Sequence, residues 1–246
     1  PEHVAYLTWC GERVVRYPVM QESYGTSPLV NPYYFMDRLF NCLLDGDVVV
    51  AANATAAVVS AQAGRMRQGV RLFSNSGDMG YDLPAAIGAV LSGKARRLIC
   101  LAGDGSIMMN LQELQTIIGN NLPIIIFLLN NNGYLSIRMT QSAYFADNKF
   151  GTGPENGVSL PDFLKLAGAL GFSGGRIASH SDLDKLLPDC LEHHGPAFYE
   201  IILDPEQHFA PKLASRALPD GSMVSPALDD MAPFLDEAEL AANRLV

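Results

Sequence analysis

The sequence has few charged residues and no concentration of positive charge. Asp, Glu, Lys and Arg make up 17% of the 246 residues and apolar residues 48%, a balance typical of a globular chain with one large core. The 17 basic residues are outnumbered by 26 acidic ones, so the formal charge is −9. Because the Lys and Arg residues form no cluster of the kind that binds phosphate backbones, we expect no nucleic-acid partner.

Paired cysteines and long apolar runs are also absent. Cys10, Cys42, Cys100 and Cys190 lie far apart without a CxxC pair, which is typical of reduced packing residues in a cytosolic protein. No apolar run approaches the roughly 20 residues of a membrane span. The N-terminus lacks the basic-then-apolar pattern of a signal peptide. We therefore expect a soluble, cytoplasmic protein that makes no contact with a membrane.

The pattern from residue 31 onward alternates between helix and strand. Predicted helices cover residues 33–44, 55–63, 82–91, 110–119, 160–170 and 183–193, and predicted strands cover 48–52, 71–73, 98–102, 124–129 and 197–203. The strand over 124–129 is continuously apolar, as in parallel sheets that are covered on both faces. The expected fold class is α/β, a doubly wound, mostly parallel sheet flanked by helices. Because no GxGxxG motif follows the first strand, a dinucleotide-binding dehydrogenase is excluded.

The two ends of the chain depart from this alternation. Residues 1–30 combine a helical pattern with a stretch rich in Pro, Gly and Ser, which predicts a linker from an upstream domain. Residues 31–205 form the predicted sheet domain. Residues 206–246 form an acidic C-terminal tail that ends in a predicted helix over 236–245.

Two predicted strands end in residues suited to bind a metal and a phosphate. One runs into Gly103, Asp104, Gly105 and Ser106, and the next runs into Asn130, Asn131, Asn132, Gly133 and Tyr134. Ligands of open α/β sheets bind beyond the carboxyl ends of the strands, and these two ends should lie side by side. Glycines allow close backbone approach, and N–H groups at a helix start attract phosphate. Asp104, Asn131 and the Gly133 carbonyl supply hard oxygens, half of a Mg2+ site that a diphosphate and a water would complete.

Each motif alone is ordinary, because Gly-Asp-Gly is usually a turn and Asn-Asn-Asn-Gly a loop. Together, with 24 residues (106–129) between them, they resemble the signature of thiamine diphosphate enzymes. The resemblance extends through residues 111–114 and 122–123. In that family the signature Asp, the second Asn and the carbonyl two residues later hold Mg2+. The resemblance therefore implies that Asp104, Asn131 and Gly133 hold Mg2+ here.

Two further segments support this resemblance. Residues 76–88 look like the segment that receives the aminopyrimidine ring of the cofactor. This likeness implies that Met79 is the apolar wedge between the two cofactor rings, and that the Gly77 carbonyl and the Met79 N–H bond the pyrimidine. A simpler alternative is that Met79 fills core space. Residues after the first strand should bind the diphosphate through backbone N–H groups and the Thr55 hydroxyl, although the family often has a glycine at this turn; they are Asn53, Ala54 and Thr55.

The closest resemblance is to the acetolactate synthase large-subunit group. It covers residues 79–86, 153–159, 209–213 and 218–221, and residues 9–18 look like the end of that group's central domain. It implies the C-terminal third of a longer polypeptide, with the tail packing near the active site. In the pyruvate decarboxylase branch an acidic residue at the position of Ile137 helps to protonate the reaction intermediate. An apolar side chain there favours carboligation, in which an acyl unit from a small 2-keto acid is transferred to an aldehyde or ketone.

The family also needs a glutamate from a separate pyrimidine-binding domain, and no position here matches it. Glu113 and Glu155 are expected to have structural or surface roles. We therefore expect a pyrimidine-binding partner, on the same longer polypeptide or on another subunit, a homo-oligomer (dimer or tetramer), and no turnover by this chain alone. Two alternatives stay open: a simple non-oxidative 2-keto acid decarboxylase, and a non-catalytic partner or regulator, against which the intact Asp104 and Asn131 argue.

Overall fold

The structure is a computed structural model that describes residues 3–75, 77–218 and 220–244. Ser76, Pro219 and Leu245, which belong to segments named above, lie outside the described residues. The chain forms two compact units. We call Met20–Gln207 the sheet unit, and Pro1–Val19 together with His208–Val246 the terminal unit.

The sheet unit is built on six strands that are all parallel. Their order is β2-β1-β3-β4-β6-β5, and the strands are β1 Asp47–Ala51, β2 Arg71–Ser74, β3 Arg97–Gly103, β4 Ile124–Asn130, β5 Ser173–Ile177 and β6 Ala197–Ile202. After β2 the chain passes to the other side of β1 to form β3, so the strand order reverses between β1 and β3. The predicted α/β class with a parallel sheet is confirmed.

Helices cover both faces of this sheet. They are α2 Pro32–Asn41, α3 Ala54–Ala63, α4 Asp82–Leu91, α5 Asp104–Ile107, α6 Glu113–Gly119, α7 Leu135–Tyr144, α8 Phe163–Leu170 and α9 His180–Leu191. Helix α2 shows a clear local start: the Asn31 side chain accepts hydrogen bonds from the N–H groups of Tyr33 and Tyr34, and Pro32 occupies the first turn. Helix α6 contacts both α4 and α8, and α2 contacts α3 and α9.

The core explains why the central strands are apolar throughout. Alternate residues of β4 join a cluster with side chains from α4, α6 and α8, such as Leu83, Leu114 and Phe163. The intervening residues are buried as well, and the ring of Phe127 packs edge-on against Phe35 of α2, with 5.6 Å between centroids. Because both faces of β4 are buried, its pattern is a continuous apolar run and not an alternation.

Strand β5 and helix α7 were not predicted. The sequence of β5, Ser-Gly-Gly-Arg-Ile, has two glycines and little burial, and it becomes a strand because it pairs with β6 at the edge of the sheet. Helix α7 buries only Leu135 and Met139, so its apolar pattern is weak. Helix α6 begins at Glu113, later than expected, because a turn occupies residues 108–112.

The terminal unit joins the two ends of the chain. It contains α1 Val4–Arg16, the short antiparallel strands β7 Arg216–Ala217 and β8 Met223–Val224, and α10 Glu237–Ala242. Tyr17, directly after α1, connects that helix to α10. Its hydroxyl donates to Glu239 at 2.6 Å and accepts from the Asn243 amide at 2.6 Å. Residues 3–19 of the predicted linker thus pack with the described part of the C-terminal tail. Among the described helices, none is long and apolar enough to cross a membrane.

Candidate functional site

An open cavity of about 510 Å³ lies at the carboxyl ends of β1, β3 and β4. The two motif-bearing strands are neighbours, with Gly103 opposite Leu129, so the prediction that their ends lie side by side is confirmed. The site adjoins the β1/β3 reversal of strand order, where ligands bind in open α/β sheets. The predicted site residues that line the cavity are Asn53, Ala54, Thr55, Met79, Gly103, Asp104, Gly105, Ser106, Asn131, Gly133 and Tyr134.

Asp104 is a buried carboxylate at the start of α5. Its Oδ1 accepts from the Gly105 N–H at 2.7 Å, and its Oδ2 accepts from the Gly133 N–H at 2.8 Å, so it ties the two strand ends together. Burial raises its pKa to about 6, although these N–H groups and the charge of Arg138 oppose the rise. A carboxylate removed from water in this way is stabilised by a cation.

The nitrogen and the oxygen of the Asn131 side-chain amide have different surroundings. Its Nδ2 donates to the Thr55 hydroxyl at 3.2 Å. Its Oδ1 is buried and, within the described residues, has no hydrogen-bond partner. A buried amide oxygen without a donor is destabilising, and a hard cation beside it would remove that deficit. Together, Asp104 and Asn131 thus fit a divalent metal.

The loop from β4 to α7 is stabilised by hydrogen bonds from a side chain to its main chain. The Arg138 guanidinium donates to the carbonyls of Asn131, Asn132 and Thr152 at 2.8, 3.0 and 3.2 Å. Gly133 has a φ of +121°, and a Cβ there would overlap the Thr152 carbonyl oxygen. This position requires glycine, both for its backbone conformation and for the close approach.

A second set of contacts supports the same loop from the sheet. The Asn130 amide donates to Glu200 Oε1 at 2.8 Å, and its oxygen accepts from the Asn132 N–H at 3.0 Å. Glu200 is buried on β6, and its other oxygen accepts from Arg176 at 2.8 Å. Sequence reasoning did not identify Glu200, Arg176 or Arg138. The one available signal was a glutamate within the apolar strand β6.

The start of α3 also faces the cavity and suits an anion. Asn53 precedes the helix but makes no side-chain cap, so it leaves N–H groups of the first turn without that partner. Ala54 has a φ of +46°, the left-handed region that favours glycine. The turn that often carries glycine in the resembled family therefore keeps a glycine-like conformation here with an alanine. At the neighbouring loop, a Cβ on Gly105 would overlap the ring of Tyr134.

Met79 lines the cavity and is 36% exposed, so it does not fill core space. The turn before it is organised by Asn75, whose Oδ1 accepts from the N–H groups of Gly77 and Asp78 at 3.0 and 3.2 Å. Gly77 is exposed and is not among the cavity-lining residues, unlike the other predicted site residues. Ile137 lines the cavity near Tyr134 and is 46% exposed.

The fold and cavity define an α/β protein with a ligand site at the carboxyl edge of a parallel sheet, where carboxylate and amide oxygens meet a helix start. Comparison with known families is more specific. The model of the family described as "Thiamine pyrophosphate enzyme, C-terminal TPP binding domain" matches residues 53–201. The chain belongs to this family, whose cofactor is thiamine diphosphate, another name for thiamine pyrophosphate.

Similar proteins include several acetolactate synthases. The chain is 35% identical to the acetolactate synthase large subunit of Cyanidium caldarium over 156 residues, 63% of this chain and 26% of that protein. It is 33% identical to the acetolactate synthase isozyme 2 large subunit of Escherichia coli (strain K12) over 159 residues, 65% and 28%. It is 28% identical to the chloroplastic acetolactate synthase 2 of Brassica napus over 211 residues, 83% and 33%. The chain thus spans about a third or less of these relatives.

Proposed function

We propose that the sheet unit binds thiamine diphosphate through Mg2+ and serves an acetolactate synthase-like enzyme. That enzyme would transfer an acyl unit from a small 2-keto acid, such as pyruvate, to an aldehyde or ketone. The observation that carries the proposal is the pairing of a desolvated Asp104 carboxylate with a buried Asn131 Oδ1 that lacks a donor among the described residues. Both line one cavity together with an anion-attracting helix start.

Each lining group has a role in this proposal. Asp104, Asn131 and the Gly133 carbonyl would hold Mg2+, whose charge would offset that of the diphosphate. The N–H groups at the start of α3 and the hydroxyl of Thr55 would bind the diphosphate oxygens. Met79 and Gly77 would orient the aminopyrimidine ring. When bound, the cofactor supplies a carbon nucleophile and a sink for the electron pair released on decarboxylation.

Ile137 supports carboligation over simple decarboxylation. An acidic side chain at the rim of the cavity could deliver a proton to the acyl carbon and release an aldehyde. The Ile137 side chain has no acidic proton to give. The acyl unit would then persist until a second carbonyl compound accepts it. In classification terms, the whole enzyme would be a transferase with a lyase step.

The remaining machinery would come from outside this chain. We assign the glutamate that contacts the pyrimidine ring and activates the cofactor to a pyrimidine-binding domain, on the same longer polypeptide or on another subunit, in a dimer or tetramer. The tail over 206–246 would pack near the active site of that assembly. The four cysteines are free thiols, which supports a cytoplasmic location.

Calorimetric titration with thiamine diphosphate and Mg2+ tests the proposal. Wild type should release heat, whereas Asp104→Ala should lose at least about tenfold in affinity, because a metal ligand is removed. Asp147→Ala, which removes an exposed carboxylate, is the matched control and should bind as wild type does. Equal binding by wild type and a folded Asp104→Ala would refute the metal assignment. Absence of binding by wild type would favour the non-catalytic alternative or a site that forms only in the assembled enzyme.

A further inference from the structure

The turn that carries Met79 is attached to the loop that carries Asp104. Both polar main-chain groups of Gly80 take part in the attachment. Its N–H donates to the Ser106 hydroxyl at 2.8 Å, and its carbonyl accepts from the Asn110 amide at 2.7 Å. Both side chains reach across from the segment that follows β3.

The contact is close as well as polar. Gly80 is buried and has a φ of +81°, and a Cβ on it would lie 2.6 Å from the Cβ of Met109. Gly80 is thus bonded to residues 106–110 through its N–H and its carbonyl, and the same segment leaves no room for a side chain on its α-carbon. The position of Gly80 is therefore set by that segment. Met79 directly precedes Gly80, and its exposed side chain lines the cavity.

The hydroxyl of Ser106 is therefore already engaged. Ser106 is buried, with 3% of its surface exposed, and it lies two residues after Asp104. Burial raises the pKa of Asp82, at the start of α4, and its Oδ1 accepts from the Leu83 N–H at 2.9 Å. The Ser106 hydroxyl oxygen thus already accepts from the Gly80 N–H.

We propose that Ser106 and Asn110 are positioning residues that transmit the order of the Asp104 loop to Met79. Their side chains act on the aminopyrimidine half of the cofactor through Gly80, and they do not act on the diphosphate. This inference rests on the proposed function.

The test compares two ligands, Mg2+ with thiamine diphosphate and Mg2+ with inorganic pyrophosphate, which has no pyrimidine. Ser106→Ala and Asn110→Ala should each weaken thiamine diphosphate about fivefold to tenfold, the effect of a lost buried hydrogen bond. Pyrophosphate affinity should stay within about twofold of wild type. Ser92→Ala removes a serine bonded to the Ala89 carbonyl at the other end of α4 and should change neither affinity. An equal loss for both ligands, or no loss, would overturn the proposal.

Amide hydrogen exchange in the ligand-free chain gives a second measurement that does not depend on cofactor binding. The Gly80 amide should exchange faster in Ser106→Ala than in wild type, whereas the Gly133 amide, bonded to Asp104, should keep its protection. Unchanged protection of Gly80 would overturn the positioning role. If wild type binds neither ligand while Gly80 responds as expected, the contact between the two loops stands, and the result counts only against cofactor binding by the isolated chain.

Discussion

Asn131 shows how one side chain can be held in place while its oxygen stays available. Donation from Nδ2 to Thr55 fixes the plane of the amide, and Oδ1 then points away from that contact. Thr55 is 5% exposed and lies in the first turn of α3, so this hydrogen bond also joins the ends of β1 and β4. The orientation of the Asn131 amide, on which the proposed metal site depends, is thus set by a residue of α3.

Replacing Thr55 tests this arrangement. Thr55→Val keeps the shape but removes the acceptor for Asn131, so Mg2+ affinity at saturating thiamine diphosphate should fall about tenfold, as for other residues that orient metal ligands. Thr55→Ser retains the hydroxyl and should stay close to wild type. The measurement is a Mg2+ titration followed by calorimetry. Equal Mg2+ affinities for the Val and Ser variants would show that Thr55 does not orient Asn131.

At the scale of elements, loop shape depends on side chains from neighbouring helices and strands. Arg138 of α7 holds three carbonyls of the β4–α7 region, and Glu200 of β6 holds Asn130. A similar contact joins two helix starts: His180, the first residue of α9, accepts from the Asn31 N–H at the start of α2 at 3.0 Å. These contacts keep the elements around the sheet in register.

The pair of His180 and Asn31 predicts a pH dependence of stability. Burial lowers the pKa of His180, the charge of Arg38 lowers it further, and Asp184 opposes them; the Tyr34 ring packs on the imidazole. Since the unfolded chain then binds more protons, this contribution is fully present above pH about 6.5 and is lost as pH falls through the lowered folded pKa.

Urea unfolding at about pH 7.5 and about pH 5 measures this effect. The change in unfolding free energy from the higher to the lower pH should be less favourable in wild type than in His180→Gln, which keeps an acceptor but does not titrate. Asp104, whose raised pKa acts in the opposite direction, is present in both proteins and cancels in the comparison. His194→Gln, at an exposed histidine, is the matched control and should behave as wild type does. Identical losses in wild type and His180→Gln would exclude the histidine as the source.

At the scale of the whole molecule, the chain spans about a third or less of its acetolactate synthase relatives. The cavity of the sheet unit provides the proposed metal ligands and an anion site, which are one part of what the proposed reaction needs. The other part is a base that activates the cofactor, and no glutamate is among the cavity-lining residues of the described chain.

We therefore expect that the isolated chain does not consume pyruvate. Incubation with thiamine diphosphate, Mg2+ and pyruvate, with and without an aldehyde acceptor, should leave pyruvate unchanged by nuclear magnetic resonance. Asp104→Ala serves as the background control. Consumption above that background would show that the missing glutamate is not required. Release of free aldehyde without an acceptor would favour simple decarboxylation over carboligation.

Much of the fold and of the candidate site could be predicted from the sequence, because both depend on local patterns. Continuous apolar runs mark strands buried on both faces, and the residues that follow them mark the carboxyl edge. Strand β5 escaped prediction because an edge strand with two glycines has no apolar pattern and exists only through pairing with β6. Helix α7 was not predicted because it buries only two side chains and so has a weak apolar pattern.

The sequence by itself determined the two strands that end near Ala102 and Leu129, the polar residues that follow them, and the parallel sheet that brings such ends to one edge. Only the tertiary structure decided that Thr55 orients Asn131, that Glu200 supports Asn130, and that the Ser106 hydroxyl holds Gly80. The physical reason is that a strand pattern records burial, whereas these partners depend on strand order and on contacts between residues far apart in the chain.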